Sequence, residues 1–157
     1  MSLTPRGGSA AVVPLASLAV VLSIGVGVGV SGCSDPGIVY ADELAKRSSD
    51  GGSFTLPQAG APVSPWIEVA VLCPYGSVGE LPDGFRKAAA KIDTNSDDGV
   101  QWLLFRSKDR FGSVRLERAD IDFCSTGTVS GEVFDAQTEW TAHEQDGGRV
   151  LLPVGDA

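Results

Sequence analysis

From Ala10 to Val30 the chain runs for 21 residues without a single charge, and Val, Leu and Ala dominate the stretch. No other feature constrains the fold as strongly, because a segment of this kind cannot lie half in water on the surface of a small domain. One positive side chain, Arg6, precedes it, and residues 1–32 contain no acid. A positive start, an apolar stretch and small residues before a cleavage point together describe an export signal. The run exceeds the ~7–15 residues of an ordinary signal core and approaches the ~20 of a membrane span. Pro14, Ser17, Ser23, Gly25, Gly27 and Gly29 dilute it, so it makes a poor permanent membrane helix. The first fifth of the 157 residues is thereby taken out of the fold, which leaves material for one small domain.

The run ends Val30-Ser31-Gly32-Cys33, an aliphatic residue, two small residues and a cysteine. This pattern resembles the lipobox of bacterial lipoproteins. The resemblance implies that residues 1–32 are removed as a signal peptide, that Cys33 becomes the mature N-terminus, and that its sulfur carries a diacylglyceryl thioether. Two acyl chains at one site, at about 0.8 kcal/mol per buried CH₂, anchor a protein firmly where one chain is marginal. The alternative is an uncleaved N-terminal anchor. Either arrangement puts the rest of the chain on the extracytoplasmic face of the cell membrane.

Charge supports a division of the chain. The net −8 of the whole becomes −9 once Arg6 is set aside, with 11 basic residues against 20 acids in the remainder. Such a balance disfavours nucleic acid as a partner and also disfavours lying flat on anionic lipid. Residues 33–65 follow the lipobox with Gly, Ser, Pro and Asp in abundance and few apolar clusters, chiefly Ile38-Val39-Tyr40 and Phe54. They are expected to form a flexible tether, with at most a short helical turn at 41–46, spanning ~30 Å root-mean-square.

Residues 66–157 carry the alternation expected of strands. Ile67, Val69, Val71 and Cys73 share one face of an extended segment, and 100–105 reads as a strand buried on both faces. Lys108-Asp109-Arg110-Phe111-Gly112 looks like a hairpin turn in which the glycine supplies a positive φ. Val114 and Leu116 alternate with charge, then the phase slips to Ala119, Ile121 and Phe123, which predicts a bulge or corner near Arg118. Val129, Gly131 and Val133 suggest a further strand, and Asp146-Gly147-Gly148 a turn before a last strand at 150–154. One helical pattern runs from Asp83, a capping residue, through Phe85, Ala88, Ala89 and Ile92. The expected fold is mainly β, a small sandwich-like domain with one short helix; a compact α+β arrangement is the alternative.

With Cys33 assigned to lipid, Cys73 and Cys124 form an even pair in an exported domain, where a disulfide is permitted. Two separate buried thiols are the competing possibility.

Residues 93–100 are the most suggestive of ligand chemistry. Asp93, Asn95 and Asp97 place oxygen donors at positions one, three and five after a helix, and this spacing resembles the start of an EF-hand calcium loop. Asp98 stands where that family has Gly, Leu104 where it has the bidentate Glu, and the next segment reads as a strand, so at most weak Ca²⁺ binding is implied. Trp66, Trp102 and Trp140, with Tyr75 and Phe111, could stack against cell-wall carbohydrate, although strand patterns around the tryptophans favour the core. His143, the single histidine, is too isolated for a zinc site, and Gly127-Thr128-Val129-Ser130-Gly131 is not a nucleophile elbow. Asp120 and Asp122, two apart on a presumed strand, would face the same side and repel, which raises one pKa.

The sequence therefore predicts a lipid-anchored surface module with no catalytic constellation. Its partners are the membrane through Cys33 and an envelope protein. A module for cell-wall carbohydrate or weak calcium binding is the alternative.

Overall fold

The computed structural model describes residues 35–125 and 130–155. The leader, Cys33 and Val129 lie outside the described residues. Eight strands form two four-stranded sheets that face each other. The first sheet has the order β1 (Ser53–Thr55), β7 (Glu139–Gln145), β8 (Gly148–Pro153), β5 (Ile121–Asp122). The second has the order β4 (Arg110–Glu117), β3 (Val100–Ser107), β2 (Glu68–Leu72), β6 (Val133–Asp135). Every pairing is antiparallel except β5 with β8. The mainly β, sandwich-like architecture expected from the alternation is the one observed.

The central strands of the second sheet are apolar on both faces because both faces are covered. Val69, Val71, Leu103, Phe105, Val114 and Leu116 point between the sheets, against Trp140, Leu151, Ile121 and Phe123. Ala70, Leu72 and Leu104 point outward beneath α2 (Asp83–Ala88), which contributes Phe85, with Ala89 just beyond it. Ile67, expected on the inner face, precedes β2 and is exposed. The helix is shorter than its apolar spacing suggests. Asp83 does not cap it; Pro82 occupies that position, and Asp83 pairs with Arg86 instead. Gly84 has a packing reason, since a Cβ there would sit 2.5 Å from the Phe111 ring.

Both hairpin turns form. Strands β3 and β4 close at Ser107↔Arg110, and Lys108, with φ 43°, takes the left-handed position assigned above to Gly112. Gly112 lies inside β4, where a Cβ would approach Pro62 to 2.9 Å. Strands β7 and β8 close through Asp146 (φ 51°) and Gly147 (φ 88°), the pair of positive φ values that a two-residue hairpin with right-handed twist requires. The phase slip after β4 is a corner. Residues 118–120 carry the chain from one sheet to the other, where Ile121 begins β5.

The flexible tether expected over 33–65 is corrected in its described part. Pro36–Ser48 forms a 13-residue helix, α1, packed against β4. Tyr40 and Leu44, one turn apart, are fully buried, and Leu56 and Val63 beyond the helix join the same core. Asp35 caps the helix by accepting the Gly37 N–H at 2.7 Å, and Pro36 occupies its first turn, where its missing N–H costs nothing. Lys46 and Arg47 end it with charges that suit the helix dipole. A helix this short is marginal alone, so its stability comes from the face it buries. Gly37 makes the close fit: a Cβ there would lie 2.2 Å from the Arg115 carbonyl oxygen. Among the described residues the core accordingly takes in Tyr40, Leu44, Leu56 and Val63, all before residue 66.

Candidate functional site

The chemistry-bearing residues gather at the end of the fold where β2 stops, β3 starts and β4 stops. Cys73, just past β2, is bridged to Cys124, just past β5, with a Cα–Cα separation of 5.8 Å. The bond links the two sheets at one end. Ser130 braces the same place by accepting the Cys73 N–H at 3.1 Å on its hydroxyl. That contact gives Ser130 a structural task.

Beside the disulfide, Gln101 is fully buried and points between the sheets. Its carbonyl oxygen accepts the Phe123 N–H at 2.9 Å, and its amide nitrogen donates to the Ile121 carbonyl. A side chain of one sheet thus satisfies the backbone of a strand in the other. At the surface of this junction Arg118 grips Asp122 through two nitrogens, at 3.2 and 2.9 Å, and also donates to the Asp98 carbonyl at 2.9 Å. Asp122 further accepts the Cys124 N–H at 2.6 Å and the Ser125 hydroxyl. Burial pushes the Asp122 pKa up, but the bonds from Arg118, Ser125 and the Cys124 N–H outweigh it and hold the carboxyl below its ordinary value. The expected mutual repulsion with Asp120 is corrected: β5 begins only at Ile121, so the two acids do not share a strand face.

The acidic loop 93–99 borders a cavity of about 250 Å³ lined by Asp93, Asp97, Trp102 and Arg115. Its carboxylates serve the loop itself. Asp93 accepts the Asn95 N–H at 3.0 Å and Asp97 accepts the Gly99 N–H at 2.9 Å. The second Asp97 oxygen faces Arg115 at 3.3 Å. Asp93 and Asp97 are thus engaged within their own loop, and among the described residues no group of three His, Cys, Asp or Glu is placed to hold a metal ion. Calcium binding gains no support from this geometry.

The aromatic platform is corrected too. Trp66 and Trp140 are core residues: Trp66 packs edge-on to Phe105 at 5.3 Å, and Trp140 contacts Phe123 at 5.2 Å and Phe134 at 4.8 Å. Trp102 and Phe111 are half-buried under α2. Tyr75 alone of the five is exposed, in a left-handed conformation with φ 61°. His143 lies on β7 in solvent, 3.3 Å from the Thr141 hydroxyl.

Sequence reasoning missed Gln101, Arg118 and α1. Each left a signal: an amide inside an otherwise apolar strand, an arginine at the phase slip, and Asp35-Pro36 ahead of a Tyr40–Leu44 pair. What the fold and this junction define is a disulfide-linked two-sheet domain closed by an N-terminal helix. Comparison with known proteins adds no family to that class: no family model matches the chain, and neither a curated protein nor a solved structure matches it.

Proposed function

We propose that this is a bacterial lipoprotein of the cell envelope, cleaved before Cys33, held in the membrane by acyl chains on that cysteine, and exposed on the extracytoplasmic side. The observation that carries this is the Val30-Ser31-Gly32-Cys33 box at the end of a 21-residue uncharged run with a positive residue before it. The Cys73–Cys124 pair is in keeping with an oxidising compartment, where such bonds persist. The role in the envelope is non-catalytic, an interaction module for another protein. In support, Asp122 and Ser130, polar groups close to the bridge, are engaged by Arg118 and by the Cys73 N–H. Carbohydrate and calcium binding are not advanced, because Trp66 and Trp140 are core residues and Asp93 and Asp97 each accept a backbone N–H of their own loop. Incorporation of labelled fatty acid in a bacterial host, abolished by Cys33→Ala, is the expected result. Labelling that survives the substitution contradicts it.

A further inference from the structure

We infer that the domain does not float above the membrane on a leash but is seated on it, with the N-terminal turn of α1 as the seat. The inference rests on the lipid anchor proposed above. Only Ser34 and Asp35 separate Cys33 from Pro36, the first residue of α1. Three residue steps span at most about 11 Å even when fully extended. The diacylglyceryl group fixes Cys33 at the headgroup layer, itself roughly 6 Å deep on each side of the hydrocarbon. The start of α1 is thus confined to the bilayer surface.

Nor can α1 swing away from the domain to relieve this. Tyr40 and Leu44 are buried in the sandwich core, and Gly37 lies flush on the Arg115 backbone. The anchor therefore orients the whole domain. The turn that meets the membrane is apolar where it is exposed: Pro36, Ile38 and Val39 face solvent, Ile38 at 64%. Ile38 and Val39 are two of the five large apolar side chains exposed among the described residues, and both lie within six residues of Cys33. Asp35 and Asp42 flank them, a composition suited to a zwitterionic surface and not to an anionic one.

The sheets transmit that orientation. The β4 level under Gly37 is Arg115, which pairs with Trp102, and Trp102 pairs with Leu72. The disulfide end of the domain is accordingly the membrane-proximal end. The β3–β4 turn at Lys108-Asp109 lies about six residues along β4, roughly 20 Å farther out at ~3.3 Å per residue.

The test uses the full-length lipidated protein in phosphatidylcholine vesicles whose acyl chains carry a fluorescence quencher. A dye is attached at Ile38→Cys or at Asp109→Cys, and the intact mass of each protein reports its lipid. The account predicts loss of most of the fluorescence at position 38 and little at 109. It also predicts that a long Gly/Ser insertion between Ser34 and Asp35 abolishes the difference. Equal quenching at the two sites in lipid-carrying protein overturns the seat and leaves the anchor standing. A mass without lipid overturns the anchor and the seat together.

Discussion

The side-chain carbonyl of Gln101 accepts the backbone N–H of Phe123 at 2.9 Å, although the two residues belong to opposite layers of the sandwich. The same amide donates to Ile121, so a two-residue strand that has one backbone neighbour, β8, is completed by a side chain. A buried backbone group left unpaired costs about 1–3 kcal/mol. Gln101→Leu strands two of them and is expected to destabilise the domain by about 3 kcal/mol. The urea midpoint measures the loss; an unchanged midpoint means that this amide carries no weight.

Tyr40 is the complementary case. Its ring packs edge-on against Phe105 at 5.0 Å, while its buried hydroxyl has no hydrogen-bond partner among the described residues. Burial pushes its pKa well above the ordinary value. Tyr40→Phe keeps the packing and removes the orphan, so it is expected to stabilise by about 1 kcal/mol. Tyr40→Ala leaves a cavity and is expected to cost about 3–5 kcal/mol. If 33–65 were a tether, thermal melts of both variants would match that of the parent.

The Arg118–Asp122 pair predicts a defined pH dependence. The folded carboxyl has a lowered pKa, so its contribution is complete above the ordinary value of 3.8 and fades as pH falls through the folded value. The stability difference between the parent and Asp122→Asn should therefore be constant near neutrality and shrink below about pH 4. A difference that grows on acidification contradicts the assignment.

Removal of the bridge is expected to be costly because the cysteines are 51 residues apart. The loop-closure argument gives about 4 kcal/mol for Cys73→Ala/Cys124→Ala. Comparing its denaturant midpoint with that of the parent under oxidising conditions measures the effect.

The strands were legible because period-two burial writes itself into Val69–Val71 and Leu103–Phe105 without reference to anything distant. The corner at Arg118 was legible for the same reason, as a break in phase. The environment of Asp122 was not, since spacing along a presumed strand says nothing about an arginine brought in by a change of sheet. The helix α1 escaped because its buried side is narrow and the Gly, Ser, Pro and Asp around it resemble a linker. Its stability resides in tertiary contacts to β4 and Phe105. Gln101 was hidden by its apolar neighbours, which announced burial and not the need of a buried amide for partners.

The proposed function stands or falls with a lipidated N-terminus at Cys33. The most direct measurement is the mass of the N-terminal peptide of the protein isolated from bacterial membranes. The account predicts a peptide that begins at Cys33 and carries a diacylglyceryl group. A peptide that retains residues before Cys33, or begins there without lipid, contradicts it.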